Sequence, residues 1–413
     1  MSAVTYEDVA PDARLFLALV RGREHAPGIP TLEPAIAAAA ARTLPRGPLA
    51  DAIRARLSEL DAPRESLAAA ERLRVPGTVT VIAGQQPVLL GGPHFVVAKA
   101  LAAVALARRI DASGTPCVPM FWVASEDHDH EEVDHVDIGV GDEPPVPLTL
   151  PLPRDRRMLS HVLVPTEITA VVARLAAVLP AGPGRNDALA LVSPVPGDSM
   201  GTAFARTLLR LCGRFGLVVI EPAVARPFAR AVVDHEVAHP GELALAISQV
   251  EDAFAARGFA RPLALRPRQS LFFVADRAGR RHAPGPLPGP DDAAGLLAWR
   301  RRLDDKPDGI SWNVAGRVLA QDVALPVAAQ VCGPSEMAYC ALLGAAHARL
   351  GVPAPALVPR PGFTFGTVLD PRQERVRSIL PYLARAGLGL LDRLLDAAGR
   401  PGIEHEVIPL GDA

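Results

Sequence analysis

The stretch from Thr78 to His135 restricts the fold more than any other part of the chain. It reads Thr78-Val-Thr-Val-Ile-Ala-Gly84-Gln85-Gln86, then Pro-Val-Leu-Leu, then Gly91-Gly92-Pro93-His94-Phe-Val-Val-Ala-Lys99. A β-branched run enters a glycine loop, and the loop opens a helix that Gly114 ends. A second apolar run, Pro119-Met-Phe-Trp122-Val-Ala-Ser125, stops at Glu126-Asp127-His128-Asp129-His130-Glu131-Glu132-Val-Asp134-His135. Strand, glycine loop, helix and strand make one turn of a parallel α/β sheet. Ligands of such sheets bind outside the carboxyl ends of the strands, where both unusual segments lie.

The rest of the pattern extends that sheet. Residues 1–75 read as helical, with apolar positions at helical spacing in Ile53, Leu57 and Leu60. Prolines crowd residues 144–153 and mark an insertion, with a short helix from Thr169 to Leu179. The core resumes with a helix from Met200 to Cys212 and the strand Leu217–Glu221. A second insertion contains the helix Gly241–Arg257 and a hairpin strand Ser270–Ala275 that turns at Asp276–Gly279. From Ile310 the core returns, with strands Val327–Val331 and Ala356–Pro359 flanking a helix from Ser335 to Leu350. Strands alternating with helices predict an α/β parallel sheet. The expected layout is 1–139 for the N-terminal helices and first part of the core, and 140–195 for the first insertion. Core at 196–222, the second insertion at 223–309, core at 310–366 and a helical C-terminal segment at 367–413 complete it.

Composition narrows the function. A net charge of -2 offers no attraction for nucleic acid or an anionic membrane. The first residues lack the basic start and apolar core of a signal peptide, and no apolar run is long enough to span a bilayer. Four scattered cysteines suit a reducing cytoplasm.

Three groups of residues carry chemistry. Gly84, Gln85, Gln86, Gly91, Gly92 and Pro93 allow close approach of a ligand and present helix N–H groups to an anion. The loop is neither a Walker A loop nor a G-x-G-x-x-G, so an ordinary strand-to-helix turn stands as the alternative, with the adjacent amides Gln85 and Gln86 favouring a bound polar group. The second group packs six carboxylates and three histidines into ten residues, Glu126 to His135. Such a cluster at a strand end repels itself unless a cation, protons or a polar ligand relieves it. A metal site is one reading, yet neither His-Glu-x-x-His nor His-x-His-x-Asp-His is present. The alternative is a solvated acidic loop. The third group is Asn313, Arg317, Gln321 and Asp322 with Gly333-Pro-Ser-Glu336-Met-Ala-Tyr339. Glu336 sits in a first helical turn, where a carboxylate also serves as a simple cap. Arg317 has the fork to clamp a carboxylate or phosphate.

Together, Ala83-Gly-Gln-Gln, Gly92 to Lys99, Phe121-Trp-Val-Ala-Ser-Glu-Asp-His-Asp, Arg317 with Gln321-Asp322, Gly333-Pro-Ser-Glu-Met-Ala-Tyr and Val358-Pro-Arg360 resemble the bacillithiol biosynthesis cysteine-adding enzymes. The resemblance covers most of the chain in matching order. It implies a Rossmann-like core akin to nucleotidyltransferases and class I synthetases, broken by two connecting insertions. It also implies a ligase that joins cysteine to the amine of glucosaminyl malate. An adenylate suits that fold, which makes ATP a candidate cofactor, and no metal is expected. Asp127, His128 and Asp129 are then the expected catalytic residues, with a histidine or carboxylate as base. Gly84, Gln85, Gln86, Gly91, Gly92, Pro93, Lys99, Glu126, Asn313, Arg317, Gln321, Asp322, Gly333, Glu336, Tyr339 and Arg360 are expected to bind substrate or nucleotide. Ser125, His94 and His130 depart from the family pattern. The family's long coiled coil is missing where Phe363-Thr-Phe365 runs almost directly into Gln373-Glu-Arg375. A monomer or weak dimer is expected in consequence. Two rivals are a non-catalytic paralogue that keeps the pocket, and a metal-dependent hydrolase centred on His128, His130 and His135.

Overall fold

The computed structural model describes residues 4–139, 144–266, 269–284, 287–289, 291–304, 309–365 and 377–408. Its centre is a five-stranded sheet of β1 (Val79–Gln85), β2 (Cys117–Val123), β3 (Val218–Ile220), β4 (Val327–Cys332) and β5 (Ala356–Pro359). All pairings are parallel and the spatial order is β5-β4-β1-β2-β3. The chain builds to one side of β1, then crosses back to build on the other. The order thus reverses between β1 and β4, and a crevice opens beyond their carboxyl ends. β2 and β4 are buried along their whole length, which explains why both are almost wholly apolar, Gln330 in β4 being the polar exception.

Helix α1 (Phe95–Ala112) packs between the sheet and the C-terminal helix Gly389–Gly399. It is apolar nearly all round, as a helix covered on both sides must be. It starts at Phe95 and not at the expected Gly92. Leu90, Gly91 and Gly92 have successive φ values of +52°, +83° and +73°, which no right-handed helix accepts. The helix expected over 335–350 is also broken, into Pro334–Cys340 and Gly344–Leu350. Gly344 abuts the Pro27 carbonyl so closely that a Cβ there would sit 2.1 Å from its oxygen.

The hairpin of the second insertion pairs Phe272–Ala275 with Arg281–His282. Ile310–Trp312, expected to begin the returning core, adds instead to the other edge of this hairpin. The reason is aromatic packing: Phe272 stacks on Trp299 and meets Trp312 edge-on. The tail forms helices Leu380–Ala386 and Gly389–Gly399, then a strand, His405–Ile408, parallel to Gly362–Phe365. That last pairing was not expected. Residues 366–376, where the resemblance leads us to expect the join left by a missing coiled coil, lie outside the described residues.

Candidate functional site

A cavity of about 1040 Å³ occupies the crevice between β1 and β4. One side is a buried polar cluster. Lys99 projects from the first turns of α1, and its Nζ donates to the Gly84 carbonyl at 3.0 Å, Gln85 Oε1 at 3.1 Å and Glu336 Oε2 at 2.7 Å. Gln330 Nε2 donates to Glu336 Oε1 at 3.0 Å, and Arg317 Nη2 to the Tyr339 hydroxyl at 2.8 Å. Burial alone would raise the Glu336 carboxyl, but Lys99 and Arg317 outweigh it and hold it below its ordinary value. The Tyr339 hydroxyl is pushed up by burial and by Glu336. Arg360 lies at the end of β5 with its guanidinium carbon 5.4 Å from the Phe95 ring centre. Among the described residues, Lys99 at 2.7 Å and Arg317 at 3.7 Å both face the Glu336 carboxylate, two cations to one anion. Arg317 Nη1 is buried beside Gly84 without a hydrogen-bond partner among the described residues. An anionic ligand oxygen over Gly84 would satisfy it.

The facing side is the loop after β2. Asp127 Oδ1 accepts the backbone N–H groups of His128 and Asp129, at 2.7 and 3.3 Å. Its Oδ2 accepts Gln86 Nε2 at 2.8 Å, and the same Gln86 nitrogen donates to Glu132 at 3.0 Å. Glu126 is buried, pairs with Arg226 and accepts the Trp312 N–H. Burial raises its carboxyl despite Arg226 and Arg281. Asp129 is exposed to the cavity.

The structure thus gathers Gly84, Gln85, Gln86, Lys99, Glu126, Asp127, His128, Asp129, Asn313, Arg317, Gly333, Glu336, Tyr339 and Arg360 around one space. Asn313 forms part of the wall while its Oδ1 caps the helix Val314–Ala324 by accepting the Gly316 N–H. Five expected residues lie elsewhere. Gly91 and Gly92 pack against Thr207 and Val88, and Pro93 bridges to Ser378. The following His94 is 1 % exposed, with its backbone N–H given to the Arg377 carbonyl, so the start of α1 is covered and offers no anion site there. Gln321 and Asp322 are sealed in the core, tied to Gln330 and His347. Of the three histidines, only His128 reaches the cavity. His130 is held between the carbonyls of Pro153 and Arg157, and His135 pairs with Asp134. Carboxylate and imidazole atoms of Asp127, His128 and Asp129 lie within 4.8 Å of one another. A cation there would meet the guanidinium of Arg281, 3.6 Å from Asp127 Oδ1. The histidine triad of the hydrolase reading is therefore not assembled.

Sequence reading missed Arg281, Phe273, Trp312, Glu404, His405 and Tyr6, all of which line the cavity. Arg281 stands 153 positions from the histidine it touches, and no local pattern marks it.

An open parallel sheet with its cavity at the strand-order reversal, roofed by inserted segments, defines a Rossmann-like ligand-binding protein. The chain belongs to the family described as Bacillithiol biosynthesis BshC, N-terminal Rossmann-like domain, whose pattern matches residues 30–361. It is 34% identical over 333 residues to the "Putative cysteine ligase BshC" of a Thermus thermophilus strain, covering 79% of this chain and 64% of that protein. Proteins of the same name from Solibacter usitatus (30% over 324 residues; 75% and 58%) and Geobacillus thermodenitrificans (29% over 337; 77% and 61%) are similar. The chain spans about three fifths of the length of these curated relatives.

Proposed function

We propose that this chain is a cysteine ligase of bacillithiol biosynthesis, joining the carboxyl of cysteine to the amine of glucosaminyl malate. The observation that carries the reading is the polarity of the cavity. A buried cationic cluster at Gly84, Lys99, Arg317 and Glu336 faces an acid and histidine loop at Asp127 to Asp129. The first side fits carboxylate and phosphate oxygens; the second fits an amine and its proton. At about 1040 Å³ the space suits more than one small substrate. ATP would supply activation of the carboxyl, and the unpartnered Arg317 Nη1 beside Gly84 is where an anionic oxygen of substrate or nucleotide fits. The attacking amine forms the C–N bond, the activated carboxyl loses its C–O bond, and the amine proton passes to a base on the 127–129 loop. Four free, buried cysteines agree with a reducing cytoplasm. Among the described residues no helix is long and apolar enough to cross a membrane.

The test is incubation of the pure chain with cysteine, glucosaminyl malate and ATP, followed by mass spectrometry. A product equal to both substrates less one water, dependent on ATP, is expected. Absence of that product with intact substrates would exclude this reaction.

A further inference from the structure

The hairpin of the second insertion sends one buried charge to the cavity wall. Arg281 is 4% exposed. Its Nε donates to Ser311 Oγ at 2.9 Å, its Nη2 to the Trp312 carbonyl at 2.6 Å, and its Nη1 to His128 Nδ1 at 2.9 Å. The guanidinium carbon lies 4.1 Å from the centre of the Phe273 ring. Four contacts leave this side chain no freedom to turn away. Arginine carries donors only, so the ring nitrogen it meets must present a lone pair. A neutral imidazole with its lone pair on Nδ1 carries its proton on Nε2. His128 lines the cavity, and its Nε2 has no hydrogen-bond partner among the described residues.

We infer that Arg281 is a positioning residue that holds His128 in the Nε2–H tautomer, so that His128 meets its ligand as a hydrogen-bond donor to an anionic oxygen and not as a base. The tautomer rests on the Arg281 contact alone; the donor role rests on the ligase reading. The charged groups facing the ring are Asp127 and Asp129 on its own loop, and Arg281 and Arg156 from the segments packed against it. Protonating Nδ1 would set two cations 2.9 Å apart. Burial first, and Arg281 second, make the ring harder to protonate than an ordinary histidine. The amine proton then falls to a carboxylate. Both Asp127 oxygens already accept hydrogen bonds, which leaves Asp129 as the open acceptor on this loop. In that step the amine nitrogen loses its proton to Asp129 as the C–N bond forms, and His128 keeps its own.

The experiment is a long-range proton–nitrogen correlation spectrum of the full chain labelled with 15N-histidine, with His128→Gln to assign the ring. The expected spectrum places His128 Nδ1 at the shift of an unprotonated nitrogen and Nε2 at that of a protonated one, unchanged across the neutral pH range. In Arg281→Met both resonances should move toward a mixture of tautomers, and the ring should titrate at higher pH. A wild-type spectrum with the proton on Nδ1, or an Arg281→Met spectrum with the tautomer unchanged, overturns the inference. If Arg281→Met does not fold, the wild-type spectrum decides alone. In the condensation assay, Arg281→Met should lose kcat with KM nearly kept. Absence of product in the wild type sinks the ligase reading while the spectrum still decides the tautomer.

Discussion

Lys99 and Glu336 show how much depends on single contacts at this site. Each side chain is 7% exposed, and they meet at 2.7 Å beneath Gly84. Removing one member of a buried pair leaves an uncompensated charge and costs about 3–5 kcal/mol. Lys99→Met should lower stability by up to that order in urea unfolding, because Arg317 at 3.7 Å is then the remaining cation beside Glu336, and product should be lost. Acid should act through the same carboxyl. Glu336 is held below its ordinary value of 4.5, so its contribution to stability is present above about pH 4.5 and lost as pH falls through its folded value. Glu336→Gln should flatten the acid limb of a melting-temperature profile. His128→Ala should behave differently: no product, with a smaller fall in melting temperature than Lys99→Met, because its ring borders the cavity and the loss is confined to its hydrogen bond with Arg281. At this scale the sequence announced the loop and cluster residues, since adjacent amides, acids and histidines at strand ends are visible locally. It could not announce Arg281, Phe273 or His405, which reach the cavity from distant segments.

Among the elements, the glycine loop has a different cause from the one its pattern suggests. Gly92 has φ +73° and ψ −165°, a region that only glycine occupies readily, and a Cβ there would lie 2.9 Å from Val88 Cβ. Gly92→Ala should therefore cost about 1–3 kcal/mol in denaturant titration, although the residue is outside the cavity. A second element carries a hidden cost. Glu236, on the helix Arg230–Ala238, is 0% exposed and forms no ion pair among the described residues. Burial pushes its carboxyl up from 4.5 to about 8. Between those values the folded chain keeps a proton that the unfolded chain releases, so stability is full below about pH 4.5 and falls as pH rises toward 8. Glu236→Gln removes that dependence. Its melting temperature should exceed wild type by a margin that widens from acid to neutral pH, and a constant margin would refute the assignment. Helix and strand periods revealed most elements, including Met200–Cys212 to the residue. The break at Gly344 was not legible, because a packing contact with Pro27 made it.

For the whole molecule, assembly follows from where the tail docks. The described tail forms two helices joined at Gly387, with Pro381 in the first turn of one. They dock on the chain's own core, Gly389–Gly399 against α1 and Leu380–Ala386 against Arg185–Val192. Helices whose apolar faces are already buried this way have no seam left for a partner. Light scattering at micromolar concentration should find a monomer, or a dimer that dissociates on dilution; a stable dimer lost on deleting the residues after Pro371 would refute this. By itself the sequence determined the α/β alternation, the two carboxyl-end loops and the family, because these follow from periodicity, glycine placement and motifs read over a few residues. Tertiary structure alone decided which candidates share a space. The strand order put β4 beside β1 and so brought Glu336 to Lys99, 237 positions away. It folded the second insertion back so that Arg281 meets His128, and it buried Gln321 and Asp322 beneath the sheet. Contacts of that kind depend on where distant segments come to rest, and no local pattern carries that information.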